Sequence, residues 1–153
     1  MNRKICITAL SAVLMAVPLF AGALTLVTSD PAANAEAQAK KAVVMVRTTA
    51  CNSPEKTVIS ATAEGIVAGK RQTIPLKVLN LSEAGTYAFA RQWPSEGSWT
   101  VRVVATNPEY KNYSTGVVVP VHGDVYSRTG AQQFYHAPTE AEVVSALKQA
   151  TLE

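Results

Sequence analysis

The sequence predicts an all-β fold, an antiparallel sandwich of about seven strands followed by a short C-terminal helix. Three observations carry this. From Ala42 onward, short runs rich in Val, Ile and Thr alternate with turn clusters at the spacing of a sandwich. Between Gly85 and Ala105 two apolar lines repeat at period two, Tyr87–Phe89–Trp93 and Trp99–Val101–Val103. The period lengthens to that of a helix only after Thr139.

The 153 residues suffice for one domain. Charged residues make up only 16% and the formal net charge is +3, with no basic run longer than Lys40-Lys41 or Lys70-Arg71. Such a surface lacks the concentrated positive patch that neutralises nucleic-acid phosphates, so no nucleic-acid partner is expected.

The N-terminus reads as an export signal. Arg3 and Lys4 precede an uncharged stretch from Ile5 to Val27, which ends at Thr28-Ser29-Asp30-Pro31. Ala33-Asn34-Ala35 fits a small-residue cleavage site that would leave Glu36 first, and Ala21-Gly22-Ala23 is an earlier candidate. The apolar run is also long enough to span a bilayer. Residues 1–35 are therefore assigned as a signal peptide, with an uncleaved anchor as the rival and the only expected membrane contact. The destination is periplasmic or extracellular. Cys6 precedes the apolar core and is no lipid attachment site, while Cys51 would be alone after cleavage and unable to form an internal disulfide.

Residues 36–41 read as a polar linker, 42–138 as the sandwich and 139–153 as a helix. Ala42–Thr49 forms the first strand, with Val44, Val46 and Thr48 on one face and Val43, Met45 and Arg47 on the other. Thr57–Ala63 alternates again and is expected to stop at Glu64-Gly65. A turn at Gly69-Lys70-Arg71 leads to Thr73–Leu79, where Pro75 favours a sheet edge because it has no N–H to donate.

Both aromatic lines of Gly85–Ala105 must reach one core. A hairpin with a five-residue loop, Pro94 to Ser98, would set Trp93 opposite Trp99 on the inner face, with Gly97 in a left-handed conformation and Thr100 on the surface. Arg91 is the misfit on the inward line, its head expected to reach water at the sheet margin. Thr115–Val121 forms a further strand. Thr139 with Glu142 is a capping-box signature, and Val143, Ala146, Leu147 and Ala150 share one helical stripe from Glu140 to about Ala150.

The pattern G-x-Y…W-P-x-x-G-x-W-x-V-x-V at Gly85–Val103 resembles a hairpin of small periplasmic bacterial Ig-like or prealbumin-like sandwiches. FixH-like and YtkA-like domains and some carboxypeptidase-regulatory-like modules carry similar patterns. The resemblance spans about Thr57 to Val121. It implies a noncatalytic envelope module, and some members of the first group are associated with copper or other cations.

No catalytic, cofactor-binding or metal-ligating set emerges from the residues. His122, His136, Cys51 and Met45 lack ligand spacing such as C-x-x-C or H-x-x-x-H. Cys51 sits at a strand-to-turn position without the setting of an activated thiol. The glycines are scattered as turn residues, and no G-x-S-x-G elbow occurs. Tyr110, Tyr113, Tyr126, Phe134 and Tyr135 lie in or near loops, where aromatics either close the end of a sandwich or anchor a partner. Asn80-Leu81-Ser82 and Asn112-Tyr113-Ser114 match the glycosylation sequon. The sequence thus predicts a noncatalytic exported binding or structural module of the bacterial envelope, needing no cofactor, with an unidentified protein or small ligand as partner. A metal-handling accessory domain is the alternative.

Overall fold

The computed structural model describes residues 24–49, 56–109, 113–122, 125–126 and 130–152. The proposed leader through Ala23, Cys51, Tyr110 and Asn112 lie outside the described residues.

Among the described residues, ten strands form two antiparallel sheets. In the four-stranded sheet, β1 (Thr25–Ser29) pairs with β2 (Ala42–Thr49), β2 with β6 (Thr86–Ala90), and β6 with β5 (Leu79–Asn80). The six-stranded sheet orders β10 (Gln132–Phe134), β8 (Ser114–His122), β7 (Ser98–Thr106), β3 (Val58–Val67) and β4 (Lys70–Pro75), with β9 (Val125–Tyr126) also paired to β8. The predicted sandwich is present. Its additional strands come mainly from short pairings and from a segment the sequence partition assigned elsewhere. No helix among the described residues is long and apolar enough to cross a membrane.

That segment is Leu24–Lys41. Thr25–Ser29 pairs along its whole length with β2, from Thr25 opposite Thr49 to Ser29 opposite Met45. Leu24 and Leu26 are buried in the main core beside Val44, Val46, Tyr87 and Phe89. Asp30 then caps a short 3-10 turn over Pro31–Ala33, its carboxylate accepting from the Ala32 N–H at 2.8 Å. Asn34 caps α1 (Ala35–Ala39), accepting from the Ala37 N–H at 2.9 Å. The boundary drawn at residue 35 and the linker drawn at 36–41 therefore do not divide the fold. Alternation was masked in Leu24–Val27 because it continues the preceding apolar run without a break. Burying each leucine contributes roughly 1.5–3 kcal/mol.

The hairpin expected across Pro94–Ser98 is corrected. β6 lies in one sheet and β7 in the other, so residues 91–97 cross between the sheets instead of turning back within one. The facing argument still holds, because two opposed sheets also aim their inner lines at one core. Tyr87, Phe89, Trp93, Trp99, Val101 and Val103 all belong to it. Gly97 does adopt positive φ, +85°. Arg91 is exposed at the end of β6, as expected.

β3 continues through Glu64-Gly65 to Val67, past the expected stop. The reason lies across the sheet. Gly65 is opposite Trp99, and a Cβ on Gly65 would fall 2.3 Å from the Trp99 ring. Glycine is there to admit the indole and does not break the strand. Ala63 opposite Val101 and Ala61 opposite Val103 extend the same complement of small against large. The indole N–H donates to the Glu96 carbonyl at 2.7 Å. The turn falls at Ala68-Gly69, with φ of 48° and 73°, which gives the backbone twist of a tight hairpin and leaves β4, with Pro75, at the sheet edge.

Helix α2 (Glu140–Leu152) covers the outer face of the larger sheet, where Val143, Ala146 and Leu147 pack on Val118. Thr100 faces that side too, and is buried there instead of standing on the surface. The capping box forms as read. Glu142 accepts from the Thr139 N–H at 2.7 Å and hydroxyl at 2.8 Å, and Thr139 Oγ1 accepts from the Glu142 N–H at 3.4 Å. These bonds, the backbone one first, lower the Glu142 pKa, with His136 adding to the effect.

Two predictions follow from this packing. Trp99→Ala should cost about 3–5 kcal/mol and Gly65→Ala about 1–3 kcal/mol through overpacking. In the double variant the new methyl enters the space the indole leaves, so urea unfolding should show a combined loss well below the sum; simple additivity would refute the contact. Glu142→Gln should lower the unfolding midpoint at neutral pH. Because the folded carboxyl titrates below its unfolded value of about 4.3, that advantage is complete above this pH. It should vanish as pH falls through the folded pKa, where the wild-type and variant curves converge.

Candidate functional site

The first strand of the central pair starts irregularly. The β2–β6 register shifts between Ala42 and Val44, a bulge, and the residue before it, Lys41, has φ of +53°. Two hollows flank this point and share Ala42 and Val43 in their walls. The larger, about 620 Å³, is lined by Lys40, Lys41, Ala90 and Arg91 as well. The smaller, about 380 Å³, is bounded by Asp30, Pro31, Ala32, Gln38 and Val125. Bulges re-aim side chains and recur beside functional sites.

Lys41 is the most informative residue here. It follows the cap of α1, its N–H bonding to the Gln38 carbonyl at 2.9 Å, at the position where left-handed backbone favours glycine. A side chain there carries a conformational cost on the order of 1–2 kcal/mol. Its neighbour Lys40 is held in place: Nζ donates to Glu36 at 2.7 Å and to the Asn80 carbonyl at 2.8 Å. Lys41 forms no ion pair among the described residues. Lys41 gives the larger hollow an ammonium suited to a carboxylate or phosphate oxygen, and Arg91 lies in the same wall.

Glu36 anchors the opposite side of Lys40. Its carboxylate takes hydrogen bonds from Lys40 and from the Ser82 N–H (2.8 Å) and hydroxyl (2.6 Å). These partners, Lys40 first, lower its pKa to about 2, so it remains charged and committed to joining α1 to the β5–β6 turn. Glu64, buried on the other sheet, is similarly engaged. It accepts from Thr62 at 3.0 Å, Thr73 at 2.6 Å and Arg71 at 3.4 Å, and Arg71 also bridges to Glu140.

The two histidines do not meet. His122 ends β8, whereas His136 follows β10 near the start of β8, where the Ala137 N–H bonds to Ser114 Oγ at 3.0 Å. At about 3.3 Å per residue, eight strand positions separate these ends by roughly 26 Å. His136 instead lies 3.1 Å from Glu142 and edge-on to Phe134. Among the described residues no three or more His, Cys, Asp or Glu side chains group as metal ligands. Tyr113 closes one end of the sandwich, packing on the core and donating to the Leu24 carbonyl at 3.2 Å, while Phe134 packs beneath α2 and Tyr135 is exposed.

A third groove, about 270 Å³, runs over Ser60, Thr62, Arg102, Val104 and Ala137 on the outer face of the larger sheet. The Arg102 Nε at its floor is buried without a hydrogen-bond partner among the described residues. The basic hollow was not legible in the sequence, where Lys40-Lys41 reads as linker and Arg91 as an isolated misfit. Its signal is conformational: a lysine where backbone geometry calls for glycine.

Compared with protein-family models, curated proteins and solved structures, the chain finds no significant match.

Proposed function

We propose that this chain is an exported, noncatalytic binding or structural module of the bacterial cell envelope, with its recognition surface at the basic hollow beside the bulged start of β2. The observation that carries the reading is how the acidic groups are used. Glu36, Glu64 and Glu142 are each committed to structural contacts: Glu36 joins α1 to the β5–β6 turn, Glu64 joins β3 to β4, and Glu142 caps its own helix. An acid–base catalyst instead needs a group poised near its working pH and open to a substrate proton. Lys41, by contrast, is held in a costly conformation without an ionic partner among the described residues, the pattern of a side chain kept for something outside the fold.

The fitting partner is an envelope protein or small ligand that presents an acidic group. A metal-handling role has less support, since the histidine pair it would draw on is split between opposite ends of β8.

Solubilised envelope from the native host, passed over the immobilised exported chain, provides the test. Retention of the specific partner should fall at least tenfold in Lys41→Glu and weaken with added salt. Equal retention by Lys41→Glu would remove the hollow from the reading. Titration with copper or zinc, followed by calorimetry, should give no saturable uptake, and stoichiometric binding would favour the metal-handling role instead.

A further inference from the structure

Resting on the export reading, we infer that the leader is cut between Ala23 and Leu24, so that Leu24–Lys41 stay with the mature domain. Ala33-Asn34-Ala35 and Ala21-Gly22-Ala23 present the same small residues one and three positions before the bond, so side-chain chemistry alone does not rank them. The fold does. A cut after Ala35 would remove all of β1, and with it Leu24 and Leu26 from the core. It would also remove Asp30 and Asn34, the caps of the 3-10 turn and of α1. β2 would be left with an open edge along Met45–Thr49, and the Tyr113 hydroxyl would lose the Leu24 carbonyl. A cut after Ala23 removes none of these.

The apolar run points the same way. Taken to Val27 it exceeds a signal core, which spans about 7–15 residues. Four of its residues, Leu24 to Val27, belong to β1 or its approach. Ile5 to Val17 is 13 residues, followed by Pro18, a poor residue for continuing a helix, and then by Ala21-Gly22-Ala23. The Ala35 bond lies twelve residues further on, beyond the charged Asp30. In the cleavage itself, water adds across the Ala23–Leu24 peptide bond. The amide C–N bond breaks, Ala23 leaves as a carboxylate with the leader, and Leu24 acquires a free α-amino group. The catalyst is a membrane-associated endopeptidase selective for small side chains.

The full-length chain, expressed in a secreting bacterial host and analysed by intact mass and N-terminal sequencing of the exported fraction, tests this. Leu24 is the expected first residue. Ala23→Arg, which alters only the leader side of the bond, should accumulate as a membrane-retained precursor. Ala35→Arg, at an exposed first position of α1, should be processed as the wild type is. Export with Glu36 as the first residue, or export with the leader retained, would overturn the inference while export itself stands. Full-length chain confined to the cytoplasm would overturn the export reading, and the inference with it. Normal processing of Ala23→Arg at Leu24 would also count against the assignment.

Discussion

Trp99 demands space that only Gly65 provides, and the arrangement of the larger sheet depends on that fit. With the indole seated over Gly65, the registers of β3 and β7 are locked, since a one-residue slip would drive the ring into a side chain and turn both strands inside out. The same register carries Val101 and Val103 inward against Ala63 and Ala61, and through β8 against Val119 and Val117. It also decides what points outward. Glu64, Thr100, Arg102 and Val118 reach the far face of the sheet because their neighbours face the core.

That far face is where the fold differs from a plain sandwich. A sheet solvated on one side shows clean alternation, but β8 is buried at seven consecutive positions because α2 lies against it. Gly116 makes room for Pro138 on the approach to the helix, where a Cβ would come within 2.2 Å of the proline ring. Arg71 joins the buried Glu64 to Glu140 at the first turn of α2, linking edge strand, sheet and helix. A buried carboxylate stripped of its partners is strongly destabilising, whereas an intact pair adds little beyond an apolar substitute. The tie therefore fixes where α2 sits more than it adds stability. On the other sheet, α1 performs the corresponding covering through Ala37, set against Met45, Leu81 and Ala88.

The sequence was most legible where a pattern is local and has one physical meaning. The Val-rich strand Ala42–Thr49, the edge position implied by Pro75 and the Thr139–Glu142 cap each read directly into structure, whereas the bulge at Ala42–Val44 breaks the expected alternation and brings Val43 and Val44 into the same core. Three features did not. Leu24–Val27 is apolar in a stretch that is apolar already, so hydropathy alone cannot show where a leader gives way to a strand. The connection after Trp93 satisfies the same inward-facing rule whether it folds back within a sheet or crosses to the opposite one, and only the distant partners β2 and β3 separate the two. Thr100 alternates as a surface residue would, and nothing near it signals a helix arriving some forty residues later. The basic hollow was hidden for a related reason, because a backbone twist at Lys41 leaves no trace in residue type.

The hollow and the first strand have one origin. β1 pairs with β2 only as far as Ser29 opposite Met45. Pro31 lacks the N–H to extend the ladder, and the Asp30 carboxylate, by capping the Ala32 N–H, turns the chain away into the 3-10 segment. From there α1 must return the chain to begin β2 beside the strand it has just left. The left-handed Lys41 and the bulge at Ala42–Val44 accomplish that reversal. The start of β2 is consequently paired with β6 on one side and uncovered on the other, which opens the hollows on both sides of Ala42–Val43. Leu24–Lys41 thus supplies an edge strand and core leucines to the sandwich and, through the way it leaves β2 and rejoins it, shapes the hollow that Lys40, Lys41 and Arg91 line. The segment is thereby part of the domain, joined to it by a full strand pairing and by two core leucines.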